Sequence, residues 1–292
     1  MKRLLSTVSL ISLTFILGFL SASQRKSAPL SFEPPPLACP QANPDASYTI
    51  PSLFLEDLTW TEIHEALCRG YRSVLIPTGG TEQNGPHMIL GKHNYIVRHS
   101  AAEIAGQIGN ILAAPVLAYV PEGRIHPPEG HMRFSGTLSV SEDIYQNMLE
   151  DTARSLIQHG FRNIFFLGDS FNNQRPQEKA AARLNRQFSR YGVHVLNVAA
   201  YYDSKDEAVR WLESQGESRD SIGTHAGIRD TSELFFVHPE GIRKDQLANR
   251  PAPSNDPMDV NGNPARASKG YGRKILEIRI GAAVRQIREA LD

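Results

Sequence analysis

The densest set of reactive side chains lies in one glycine-rich stretch, Thr78-Gly79-Gly80-Thr81-Glu82-Gln83-Asn84-Gly85-Pro86-His87, closing on Gly91-Lys92-His93. A carboxylate and two imidazoles so close in sequence can ligate a metal or run acid–base chemistry. Further along, Gly168-Asp169-Ser170-Phe171-Asn172-Asn173 places an acid and a hydroxyl just past an apolar run. Thr224-His225-Ala226-Gly227 adds another imidazole, with Asp230-Thr231-Ser232 opening a helix, and His126 to His131 forms a weaker cluster. Each has a plainer reading. Glu82 can be a solvated loop acid, Asp230 an N-terminal cap, and His87 and His131 donors to backbone carbonyls.

These stretches need a frame, and the rest of the chain supplies one. Thr59 to Glu62 has the spacing of a capping box, opening a helix to about Arg69. Ser73 to Pro77 is a short buried strand. A helix is expected from about Asn94 to Gln107, a second strand over Leu112 to Tyr119, and a long loop to Gly136. Ser141 caps a helix that Gly160 ends. Asn163 to Leu167 is the clearest strand, apolar throughout. A helix from about Pro176 to Arg190, stopped by Gly192, leads to a strand over Val193 to Val198. Residues 250–266, rich in Pro, Asn, Asp and Gly, form a loop. A last amphipathic helix uses Ile275, Ile278, Val284, Ile287 and Leu291.

Strand, loop and helix in alternation imply βαβ units and an α/β fold with a mostly parallel sheet covered on both faces. In such sheets reactive groups gather at the carboxyl ends of strands. The loops after Pro77, Leu167 and Val198 therefore share one rim.

Several motifs in a fixed order then resemble one family. Pro77 to His87 resembles the creatininase signature Pro-x-Gly-x-x-Glu-Gln-His-Gly-Pro-His. Glu129-Gly130-His131 and Phe134-Ser135-Gly136-Thr137-Leu138-Ser139 are similar to its Glu-His and Phe-Pro-Gly-Thr segment. His159-Gly160-Phe161-Arg162 precedes the central strand as in the family, and His225-Ala226-Gly227 before Asp230-Thr231-Ser232 resembles its His-Ala-Gly and Glu-Thr-Ser pair. The resemblance runs from about residue 52 to 245. It implies a three-layer α/β/α domain, often hexameric, with a two-metal centre that opens a ring or linear amide.

Carried over position by position, the resemblance also shows replacements. The family's first Glu is Glu82, but the His two residues later is Asn84, and the bridging Asp is His93. The ligand His after the central strand is Ser170, with Asn172 two beyond it; the catalytic His is His225 and its supporting acid Asp230. A two-metal centre needs a carboxylate between cations about 3.5–4 Å apart, and a neutral imidazole has only one lone pair to give. The expectation is one divalent metal, zinc, held by Glu82 and His93 with Asp169 or His225 as third ligand. His225 and Asp230 would serve catalysis, and Asn84, His87, His131 and Asn173 would contact a small amide or lactam. Two alternatives stay open. Ser170 with His225 as base, and Asp230 or Asp169 orienting it, would be a metal-free hydrolase, its Gly-Asp-Ser block being similar to that of the GDSL hydrolases. The cleft could also bind a small molecule or partner without catalysis.

Composition bounds the partners. The 292 residues carry 31 Lys and Arg against 31 Asp and Glu, so no net field attracts nucleic acid or an anionic membrane. Lys2 and Arg3, the apolar run Leu4 to Leu20 and the small residues Ser21-Ala22-Ser23 have the pattern of a signal peptide over residues 1–23. The expectation is an exported protein, periplasmic or secreted, with no membrane attachment after removal. A Pro-rich extended arm over residues 24–50 and a single domain over 51–292 complete the organisation. The family resemblance favours a homo-oligomer. Two cysteines, Cys39 and Cys68, permit one disulfide in an oxidising compartment, or two unpaired thiols.

Overall fold

The computed structural model describes residues 33–39, 48–247 and 259–292. The signal-peptide reading, much of the Pro-rich arm and most of the loop expected from residue 250 lie outside the described residues. Thr59 closes a capping box with Glu62 and starts α1 (Trp60–Cys68). Cys68 forms a disulfide with Cys39, tying the arm segment to α1.

β1 (Ser73–Thr78) is buried at every position. α2 (Lys92–Ile108) follows the glycine-rich loop and begins two residues earlier than expected, so His93 sits in its first turn. β2 (Ile111–Ala113) is shorter than the expected strand; beyond it only an isolated bridge joins Thr78 to Leu117. α3 (Glu142–Gln158) starts at the Ser141 cap, and β3 (Asn163–Gly168) follows. α4 (Phe171–Phe188) begins ahead of Pro176, which lies inside it rather than at its first position. β4 (His194–Asn197) ends the sheet. Short helices that the sequence pattern did not reveal come next: α5 (Ala199–Asp203), α6 (Lys205–Ser214) and α7 (Arg219–Ile222). α8 (Ile228–Val237) and α9 (Lys269–Leu291) complete the chain.

The four strands are parallel, in the order β2-β1-β3-β4. Alternate side chains on a strand face opposite ways. Leu75, Phe165 and Leu167 pack under α2 and α9, against Ile96, Ile104, Leu276, Ile280 and Val284. The intervening Val74, Ile76, Ile164 and Phe166 are fully buried as well, facing the layer of α3 and α4. The result is three layers, α/β/α. From β1 the chain moves to β2 at one edge, then crosses back to β3 on the other side of β1. That reversal leaves a crevice between the carboxyl ends of β1 and β3, the place where ligands bind in open α/β sheets. Among the described residues no helix is long and apolar enough to cross a membrane.

Candidate functional site

Two loops meet at that crevice. The loop after β1 carries Glu82, and the turn after β3 carries Asp169 and Ser170. Gly79 and Gly80 let the first loop run close to its neighbours: a side-chain carbon on Gly79 would collide with Asn94, and one on Gly80 with the Glu122 carboxyl. A cavity of about 210 Å³ opens there, lined among others by Glu82, Lys92, His93, His131, Asp169, Ser170, His225 and Asp230.

His93 lies between two acids. Its Nε2 donates to Glu82 Oε1 at 2.8 Å and its Nδ1 to Asp169 Oδ2 at 2.5 Å. With a carboxylate on each nitrogen the ring is held as an imidazolium. Burial and the nearby Lys92 push its pKa down, but Glu82 and Asp169 outweigh them and the net shift is upward. Glu82 would be raised by burial, yet the charge and hydrogen bond of His93 hold it below the usual carboxylate range. Asp169 would be raised the same way and is held low by Arg279 and then His93.

The expected ligand set is not the one whose atoms converge. A ring that donates from both nitrogens has no lone pair for a metal, so His93 does not fit as a ligand. Asp169 is committed to His93, to Arg279 Nη2 at 2.6 Å and to the Tyr201 hydroxyl at 3.0 Å. The residues that do converge are Glu82, His131 and His225, whose ligand atoms all lie within 4.8 Å of one another. His131 Nε2 is 3.2 Å from Glu82 Oε2. His225 is kept neutral, its pKa lowered to about 4 by burial and then by Lys92. It therefore has a lone pair to offer. One carboxylate and two imidazoles make the donor set of a three-ligand catalytic zinc. The residues fit a divalent cation.

Of the expected substrate contacts, only His131 lines the cavity. Asn84 is fully buried and its amide turns back to the Glu82 carbonyl at 2.9 Å. Asn173 donates to Thr78 Oγ1 and to the carbonyls of Thr78 and Gly79, bracing the loop after β1. His87 meets Thr231 Oγ1 at 2.9 Å and so joins the same loop to α8. None of these three lines the cavity: Asn84 and Asn173 are turned to backbone carbonyls of the loop after β1 and His87 to the Thr231 hydroxyl, contacts that position the loop. Asp230 lines the cavity, accepting from the Ala226 amide at 2.8 Å and facing Lys92 and Arg229. Ser170 lines it too, but no hydrogen bond joins its hydroxyl to His225, whose Nε2 meets Gln83 Nε2 at 3.1 Å.

Other site groups were not singled out from sequence. Arg279 bridges Asp169 and Glu233 from α9. A signal existed, since Arg279 stands four residues after Ile275 on the buried stripe of that helix. Lys92 is 2% exposed, with its ammonium 3.7 Å from Asp230. Glu122 is buried near Glu82, and its pKa is pushed up to about 10 by burial and then by the Glu82 charge. Nothing in local spacing announces it.

His87 gives a test of folding. Its pKa is lowered from 6.5 to about 4, chiefly by burial. The unfolded chain binds a proton below 6.5 that the folded chain refuses until about 4. Its contribution is fully present above 6.5 and lost as pH falls through 4, worth about 3 kcal/mol in all. Denaturant midpoints measured from pH 7 to 4 are expected to decline, and His87→Gln to flatten that decline by about 1 kcal/mol per pH unit. An unchanged slope in the variant would remove His87 from the account.

The family model described as Creatininase: Creatinine amidohydrolase matches residues 56–287. The creatinine amidohydrolase of Pseudomonas putida is 26% identical over 255 residues, 82% of this chain and 97% of its own. A mycofactocin precursor peptide peptidase of Mycobacterium ulcerans (strain Agy99) is 27% identical over 245 residues, 74% of this chain and 84% of its own. Among solved structures, one described as Creatininase Mn matches with a TM-score of 0.67 at 24% identity, over 82% of this chain and 98% of its own. At that identity the structural likeness establishes the fold.

Proposed function

The chain belongs to the creatininase family, and from that premise we propose that it is an amidohydrolase opening a non-peptide carbon–nitrogen bond, in an amide or lactam, with one divalent cation rather than two. The observation that carries the reading is the convergence of Glu82, His131 and His225 on the cavity. Zinc suits a donor set of one carboxylate and two imidazoles, and related creatininase structures are described with manganese and as Zn-Zn type. When bound, such a cation polarises a carbonyl and lowers the pKa of a water.

The case for one cation rests on His93. At the bridging position of a two-metal centre this chain has a positive ring, already hydrogen-bonded to Glu82 and Asp169. A second cation there would meet the charges of His93, Lys92 and Arg279 and find no free carboxylate to share. The chain's own groups take over part of its work. The Lys92 ammonium faces the cavity with one loose partner, placed to donate to a carbonyl oxygen as negative charge develops on it. Glu233 also lines the cavity, and burial raises its pKa against the pull of Arg279. It is the group suited to hold a proton and release it to the leaving nitrogen.

Export fits this reading: the Cys39–Cys68 disulfide supports an oxidising compartment, periplasmic or extracellular. Elemental analysis of protein purified without chelator tests the cation count. About one equivalent of zinc or manganese per chain is expected. Two would overturn the single-cation reading, and none, with no uptake on zinc titration, would remove the cation altogether.

A further inference from the structure

Resting on that reading, we propose that the substrate carries a carboxylate in addition to the scissile amide, and that this carboxylate is bound where α4 begins, by Ser170, the first amides of the helix and Lys205.

Three independent features meet at this end of the cavity. The first is the start of α4 itself, an 18-residue helix whose N-terminal residues Ser170, Phe171 and Asn172 all line the cavity. The first amides of a helix have no intrahelical acceptor, and α4 has neither a side-chain cap hydrogen bond nor an acid in its first turn. Its partial positive charge is therefore left for something else to answer. The second is Ser170. It is 6% exposed, at the N-cap position, and its hydroxyl makes no hydrogen bond among the described residues, although it borders the cavity. The residue is packed into the protein while its hydroxyl is open to pair with what enters the cavity.

The third feature is an uncompensated cation. Lys92, Arg229 and Arg279 line the cavity and each has a carboxylate partner. Lys205 lines it as well, but among the described residues it has no ion-pair partner; its Nζ rests 4.3 Å from the Tyr202 ring centre and 5.9 Å from that of Phe171. Phe171 is 71% exposed and forms, with Tyr202, an aromatic rim at the mouth. Helix amides, a free hydroxyl and a free ammonium are a complete donor set for a carboxylate, and the rim offers a flat apolar wall to the body that carries it. The cavity volume of about 210 Å³ keeps that body small.

The test uses a matched pair of lactams, 5-oxoproline and 2-pyrrolidinone, which share a ring and differ by one carboxylate. Both are offered to the cation-loaded full chain, with hydrolysis and calorimetric binding measured in parallel. The anionic lactam is expected to be preferred at least about tenfold, in kcat/KM or in Kd, as charge-assisted hydrogen bonds imply. Lys205→Met should bring the preference to within about twofold, and Ser170→Ala should reduce it by a lesser factor. If the anionic lactam binds with this preference and neither ring opens, the carboxylate site stands and the hydrolase reading falls. If both rings open equally well, the hydrolase reading stands and the carboxylate site falls. A preference that survives Lys205→Met, or no binding of 5-oxoproline at millimolar concentration, overturns the proposal.

Discussion

Replacing Glu82 by glutamine is expected to empty the cavity of its cation and lower kcat/KM by about a thousandfold or more. The magnitude follows from the several kcal/mol that a Lewis acid supplies to a developing charge. The change is nearly isosteric, so the loss comes from chemistry rather than volume. Glu82 is the carboxylate of the three converging ligands, and it also receives the hydrogen bond of His93. An amide is a poorer ligand for zinc and cannot balance the His93 charge. The measurement is metal content by mass spectrometry beside steady-state kinetics, with thermal unfolding as a check on folding. A Glu82→Gln protein that keeps a full equivalent of metal and its activity would show that the acid does not face the reacting centre.

The largest effect on stability is expected from Arg279→Met. The guanidinium joins Asp169 at 2.6 Å to Glu233 at 2.7 Å, inside the protein and over the Tyr201 ring at 4.1 Å. Removing it leaves two carboxyls in an interior with no other guanidinium placed to serve both. Breaking a buried pair in this one-sided way costs about 3–5 kcal/mol, or a fall in Tm of about 10 °C for a domain of this size. Arg279→Lys should recover only part of the loss, since one ammonium has no fork to reach both acids. Adding Glu233→Gln to Arg279→Met should recover some, because one of the two carboxyls that lost the guanidinium is then replaced by a neutral amide. Calorimetry of the four proteins decides the matter. A shift of only a degree or two in Arg279→Met would show that the network is not what holds α9 against the sheet.

The two results are linked through one chain of bonds. Arg279 fixes Asp169, Asp169 fixes one side of His93, and His93 fixes Glu82. Arg279→Met should therefore weaken cation binding as well as folding, even though Arg279 touches none of the three ligand residues by a hydrogen bond. Glu82→Gln, at the other end, should cost less stability than Arg279→Met, since Asp169 still faces His93.

Local order was written in the sequence to a large extent. The Thr59–Glu62 capping box, the Ser141 cap and the apolar runs over Ser73 to Pro77 and Asn163 to Leu167 each depend on neighbours a few positions apart, and the elements formed where those patterns stand. Alternation of such elements was enough to require a parallel sheet with its reactive loops along one edge. The spaced motifs around Glu82, His131 and His225 were enough to identify the family. The early starts of α2 and α4 were less legible, because Gly91 and Ser170 make no side-chain cap hydrogen bond there and packing, not a local signal, sets those ends.

What the tertiary structure alone decided is which polar side chains face one another. His93 carries the same imidazole whether it holds a metal or donates to two acids; only the approach of Asp169 from β3 makes it the latter. Asn84, His87 and Asn173 flank cavity residues in sequence, but the loop turns Asn84 and His87 toward backbone and α8, and α4 turns Asn173 toward the backbone after β1. Arg279 reaches Asp169 across 110 residues of chain. Periodicity records how apolar a face is, and motifs record which residue types are present. Neither records where a buried charge finds its partner, since that depends on side-chain directions fixed only when distant elements pack.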